Sequence, residues 1–440
     1  MRGTVSLSLV ASALVMNAMA ADDLAGMFKE GKASGQIRAF YIDRSYGYND
    51  ATATYSRDGL SVGGYLKYET GSLSGLSFGT AFYTTNKLDN KSSVTKENDT
   101  TLFGPNGDDE SYLGEAYLQY KYENTTFKVG RQKLDTPMAG SDDARMLPNL
   151  FEAYVLSNTD VKDTTLVAAH VTKFSAGTFA NAYNNGGADF ALTGGYSMVA
   201  NATNMVGKFT NMGEYAIGQN TNGVSVAAAI YSGIPGLKLQ LWDYYANNIL
   251  NAIYAEANYG LSVNGISPYF GVQYIKEDNI GNDYAGEVNS DFIAAKAGAK
   301  VGNFDVYGAM SHNSSDDAST IKGGTITPWG GMPAYTQGMV TRHQFMSGTD
   351  AWKVVGTYNF KDMGANLTAS VYYASFDVKG YAGSYTVGKT TEPGFDVIWN
   401  PEVVKNLQLR LRGNFPDKFK NTATTDTSWD EYRFIANYNF

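Results

Sequence analysis

The chain contains no cysteine. For an exported protein this excludes a disulfide framework, and it removes thiol chemistry altogether. Histidine is scarce: His170, His312 and His343 are the whole set. His170 is read as facing a lumen, but no two of them stand at metal-ligand spacing, so neither a metal site nor a cofactor is expected. Proline is scarce as well, at 10 in 440 residues. Beyond residue 20 no segment approaches the roughly 18 apolar residues that a membrane-spanning helix needs. Mean hydropathy is -0.28. A helical membrane protein is therefore excluded. Basic excess is missing too: the formal charge is -9, which argues against nucleic acid. No glycine-rich phosphate loop precedes a helix, and nothing singles out a nucleophile, base and orienter, so no enzyme is expected. Acidic stretches at Asp108-Asp109-Glu110 and at residues 277–291 do not fit the twelve-residue calcium loop and read as solvated.

Glycine (48) and tyrosine (32) are what the chain has in abundance. Residues 1–20 read as a secretory signal: Arg2, an apolar run from Val5 to Met16, then Ala18-Met19-Ala20. Residues 21–440 read as one domain. Its last segment sets the class. Tyr432, Phe434, Ala436, Tyr438 and Phe440 share one parity, while Glu431, Arg433, Asn437 and Asn439 take the other. Ile435 is the apolar exception on the polar side. Alternate strand residues face opposite ways, so this strand has an aromatic face and a wet face. The closing strand of an outer-membrane β-barrel has that pattern, lipid outside and polar lumen inside.

Similar stretches recur, separated in turn by short links such as Glu123-Asn124 and long polar ones near 84–110, 132–150, 176–221 and 312–349. About eighteen strands result, from 36–44 through 394–400 and 407–414 to 429–440. The fold class is all-β, a transmembrane antiparallel barrel with long outer loops and the third loop folded into the lumen. Eighteen strands leave a lumen, where eight would be filled by side chains.

Arginines on the wet face are the candidate site. In Leu407-Gln408-Leu409-Arg410-Leu411-Arg412 the leucines must face lipid, because arginine at the midplane costs roughly 2–4 kcal/mol. That sends Arg410 and Arg412 inward. The same test turns Arg433, Arg57 and Arg38 inward. First and last strands adjoin when a barrel closes, so these five form a basic stripe on one wall. A carboxylate can pass from one guanidinium to the next along it. The plainer alternative is that they pair with inward acids such as Glu115 and Glu431 and only brace the wall.

The loop after the fifth strand carries apolar anchors, Leu134, Met138, Met146, Leu147, Leu150 and Phe151. It is expected to pack inside and form a constriction with Arg131, Asp142, Asp143, Arg145 and Glu152, where charges set ion preference. Arg131 shares parity with Phe127 and Val129, so this reading needs a bulge or the strand end to turn it inward.

The runs GRQKLDTP (130–137) and DDARMLPNLFEAYV (142–155) resemble the OprD-type family of substrate-specific outer-membrane porins of Gram-negative bacteria. The resemblance implies a monomeric-pore fold, a constriction by the third loop helped by the seventh (about 312–349), and uptake of small carboxylate-bearing solutes along a basic ladder. Arg410 and Arg412 match that ladder by position. The expected activity is passive diffusion of small hydrophilic solutes and ions. The expected surroundings are outer-membrane lipid and lipopolysaccharide, with the chain as monomer or trimer. A weakly selective general porin, and a surface adhesin or structural barrel, are the alternatives. Channel conductance separates the last from the others.

Overall fold

The computed structural model describes residues 20–48, 55–88, 97–104, 107–179, 205–331, 333–380, 388–421 and 426–440. The expected signal segment, apart from Ala20, lies outside them.

Eighteen long strands make up the fold. They are β1 (Lys32–Tyr48), β2 (Tyr55–Glu69), β3 (Leu76–Lys87), β4 (Glu110–Tyr122), β5 (Thr125–Gln132) and β6 (Leu150–Asn158). Then come β7 (Thr164–Ser175), β8 (Val224–Tyr231), β9 (Leu237–Ala246), β10 (Leu250–Gly260), β11 (Ile266–Asn279) and β12 (Asn289–Val301). The last six are β13 (Phe304–Asn313), β14 (Asp350–Asn359), β15 (Leu367–Val378), β16 (Gly388–Trp399), β17 (Leu407–Asn414) and β18 (Asp426–Asn439). Each pairs antiparallel with the next, and β18 pairs with β1 from Gln36↔Asn439 to Tyr48↔Thr427. The sheet is therefore closed and presents no free edge. Among the described residues no helix is long and apolar enough to cross a membrane.

Alternation decides which face is which. On β18 Tyr432, Phe434 and Tyr438 are exposed, while Glu431, Arg433 and Ile435 are buried within. Exposed apolar side chains recur around the outside, among them Ile37, Phe82, Leu118, Val272, Trp352 and Val371. An apolar belt on the outside of a closed sheet, over a polar inside, suits lipid outside and water within.

β16 begins six residues before the expected 394. Pro393 hid its first half, because proline argues against a strand interior. In the structure Pro393 lies just past the last β16–β17 rung, Gly394↔Asn414, so its missing N–H costs no ladder bond. Its carbonyl accepts from Phe415 N at 3.0 Å.

The termini meet at the end that carries the short turns. Gly35 N donates to Phe440 O at 2.9 Å, and Phe440 N to Gly35 O at 3.1 Å. The helix α1 (Leu24–Lys29) is capped by Asp23 and tied to the first short turn by Gly71 N donating to Met27 O. Deleting Phe440 removes two closure bonds and an outward apolar ring. The folded, heat-modifiable fraction on unboiled gels should then drop several-fold, with β-type circular dichroism kept in what does fold.

Candidate pore constriction

The third loop, residues 133–149, turns into the barrel straight after β5. Apolar contacts take it there. Met146, Leu147 and Leu150 are buried against Phe40 and Ile42 of β1 and Ile435 of β18, together with Leu102 and Phe103. The few apolar residues on the wet faces of β1 and β18 are thus the floor on which the loop sits. Full burial of such side chains stabilises by about 1.5–3 kcal/mol each.

Charges then fix the loop. Glu431 of β18 has 0% of its side chain exposed. It accepts from Arg44 Nε at 2.9 Å and from loop residue Arg145 Nη2 at 3.1 Å. Arg433 Nε lies 2.6 Å away, and Trp429 Nε1 donates at 3.2 Å. Arg44 also lies 3.4 Å from Asp99. The adjacent acids of the loop point in different directions. Asp143 meets Arg38 Nη1 of the wall at 2.7 Å and Lys133 Nζ at 3.1 Å. Asp142 accepts from Gly331 N of the seventh loop at 3.2 Å and faces Arg342 Nη1 at 3.4 Å. Burial pushes both carboxyls up. In Asp143 the guanidinium of Arg38 and the ammonium of Lys133 outweigh it and hold the group well below the carboxylate range. In Asp142 burial wins.

The seventh loop, residues 314–349, lies against the third. Gly140 N donates to Trp329 O at 3.1 Å. Gly331 has φ +88°, and a Cβ there would come within 2.3 Å of Pro137 O, so this crossing needs glycine. Two wall glutamates hold the loop by its backbone. Glu392 accepts from Met339, Val340 and Thr341 N–H groups, and Glu277 from Ile326 N at 2.7 Å. His343 is buried beside Phe376 and Phe419, its Nε2 donating to Phe419 O at 2.8 Å.

Beside Arg433, the wall carries Arg412, its partner in register on β17, and Arg410 two residues along. Both turn inward and share one carboxylate, Asp396 of β16. Arg410 Nε donates to Asp396 Oδ1 at 2.7 Å and its Nη2 to Oδ2. Arg412 Nε lies 3.3 Å from the same Oδ2. These side chains stay wet: 28% of Arg410, 15% of Arg412 and 17% of Asp396 is exposed.

The sequence profile of the outer membrane porin, OprD family, matches residues 25–440. The chain belongs to the OprD family. Solved structures agree on the fold. A BenF-like porin from Pseudomonas fluorescens Pf-5 superposes with TM-score 0.77 at 18% identity, covering 94% of this chain and 100% of that one. OccK9 (OpdG) of Pseudomonas aeruginosa gives 0.76 at 19%, covering 94% and 99%. OccK2 (OpdF) of the same species, in complex with glucuronate, gives 0.72 at 18%, with the same coverage. A search of curated proteins returns no match. The porin is an outer-membrane protein, and family and fold are those of channels.

Placement sorts the expected residues of this porin. Arg410 and Arg412 line the lumen wall, and Arg57 is half-buried there, its guanidinium 5.6 Å from the Tyr46 ring centroid. Arg38 and Arg433 are on the same wall but buried by their partners, so a solute cannot reach them without dislodging the third loop. Arg145, Asp142 and Asp143 lie in that loop inside the barrel. Arg131 and Glu152 do not. β5 runs in unbroken register from Phe127 to Gln132, so Arg131 stays on the outer face with Phe127 and Val129. Glu152 shares the outer face with Tyr154, 3.8 Å from Arg131 Nε and 2.9 Å from Lys173 Nζ. The expected bulge lies instead between β6 and β7, beside Glu152. His170 pairs with outward Tyr154 and contacts Ser225, so it too faces away from the lumen.

Sequence reading missed Arg44, Asp396, Arg342, Glu277 and Glu392. Parity signalled Arg44, on the same face as Arg38 and Ile42, and Asp396, between Phe395 and Val397. No pattern marks Arg342, Glu277 or Glu392, whose partners are loop atoms.

Replacing Glu431 by alanine leaves guanidiniums buried without their acid, a loss of about 3–5 kcal/mol for a broken buried pair. Single-channel traces should become noisy and protease should cut within residues 133–149. A quiet, protected channel would show that the loop does not depend on Glu431. Burial lowers His343 to about 4. Its undocked value is about 6.5, so the released loop binds the proton first, and docking weakens as pH falls through that window, by about 3 kcal/mol in full. Above pH 6.5 this group adds no dependence. Open-channel noise should therefore rise from pH 6.5 to 4, and His343→Gln should flatten the rise.

Proposed function

We propose that this porin passes small hydrophilic solutes and ions by diffusion, with preference for carboxylate-bearing solutes, and that residues 1–20 direct its export. The observation that carries the preference is the Arg410–Arg412 pair. Its guanidiniums face the lumen, remain partly exposed, and already hold a carboxylate between them. Guanidinium forks match carboxylates in geometry as well as charge. The third loop, pinned over the adjoining wall, brings the path toward this pair and serves as the constriction, with Asp142, Asp143 and Arg145 as its internal struts. OccK2, of the same family, was solved with glucuronate. That ligand carries a carboxylate.

A weakly selective channel is the second reading. Strands β10 and β13 favour it, for Glu256 accepts from Gln240, Tyr254, Asn258 and Gln273, and Asp305 accepts from Tyr269. Acid there attracts cations.

Planar-bilayer recordings decide between them. Converting Arg410 and Arg412 together to Gln removes two positive charges from a narrow space where salt screens them poorly. Reversal potential should shift toward cations and benzoate permeation should fall about tenfold, the factor for a loss of roughly 1.4 kcal/mol. Folded yield should hold. Unchanged selectivity in a folded double variant would favour the weakly selective channel.

A further inference from the structure

Among the described residues, Asp396 is the one acid bound to the Arg410–Arg412 pair. In register it faces Arg412, with Arg410 two rungs along opposite Ile398. Arg410 holds it by two donors and Arg412 lies 3.3 Å from one of the same oxygens. A solute carboxylate arriving at this pair would need those donors. The site is therefore occupied in the resting state by the wall itself.

The contrast with Glu431 shows what such an occupant can do. Glu431 is sealed under the third loop, and replacing it would strand buried cations. Asp396 keeps contact with the lumen, as do both arginines. It can be displaced and return without taking a charge out of water. Two cations and one anion leave the triad at +1, enough to draw an anion in. The returning carboxylate of Asp396 then offsets the cost of letting it go.

Resting on the carboxylate reading above, we propose that Asp396 is the resident competitor on the Arg410–Arg412 pair and sets the dwell time of solute carboxylates in the pore. No bond is made or broken. A solute carboxylate takes the Nε and Nη2 donors of Arg410, Asp396 falls back on Arg412, and its return releases the solute.

The test is single-channel recording with benzoate, and with benzamide as the neutral match. In Asp396→Asn the benzoate dwell time should lengthen by on the order of tenfold or more, the worth of a hydrogen bond to a charged group. Benzamide should be unaffected, and selectivity in plain KCl should shift toward chloride. Asp396→Glu keeps the charge and should stay near wild type. Should Asp396→Asn fail to insert, Arg410→Gln is compared with Arg410→Gln/Asp396→Asn, which removes charge in balance. The second should hold benzoate longer. Benzoate events seen in wild type but equally long without Asp396 overturn this proposal and leave the carboxylate reading standing. Benzoate treated like benzamide by wild type and every folded variant overturns both.

Discussion

The inside of this barrel depends on a single buried carboxylate. Glu431 sits on the closing strand, next to the seam with β1, and gathers Arg44 from β1, Arg433 from its own strand and Arg145 from the third loop. A buried ion left with fewer partners would be costly, since desolvation outweighs a single attraction. Here the loop supplies a partner that the wall lacks in its absence. Sealing the seam and docking the loop are thus linked through the same atoms.

Around that centre the two loops are held by different chemistry. The third loop offers a carboxylate, Asp143, and meets a wall cation, Arg38. The seventh offers backbone N–H groups and meets wall acids, Glu392 and Glu277. Buried backbone donors must be paired, and a glutamate facing several consecutive N–H groups does this for a loop with no strand partner. Asp142 and the Gly140–Gly331 crossing join the loops to each other. Neither can leave without uncovering polar groups on the other.

How much of this was legible depended on whether the partner was a face or an atom. Lipid on one side forces parity, so Leu407, Leu409 and Leu411 set the direction of Arg410 and Arg412. Ile435 looked like a flaw in the pattern and, with Phe40 and Ile42, turned out to be the seat of the third loop. Arg131 shows the reverse error. Its parity pointed out, its neighbourhood in the loop motif pointed in, and the unbroken register of β5 obeyed parity. The tethers of the seventh loop left no such trace. A glutamate that binds main-chain N–H groups looks in sequence like any other inward acid.

The wall arginines differ less in chemistry than in what covers them. Arg433, Arg38, Arg410 and Arg412 all have carboxylates within ion-pair reach. Bracing and transport are therefore not rival accounts of one stripe. Where the third loop lies over the wall, water is excluded, the pair is permanent and the arginine is structure. Where the loop ends, water reaches the pair, and the cost of parting it drops because solvent can take up both charges. The boundary between fixed and exchangeable cations runs along the edge of the loop, from Arg433 at 1% exposure to Arg410 at 28%. The folding of one loop thereby selects which part of a continuous basic wall is left to meet a solute.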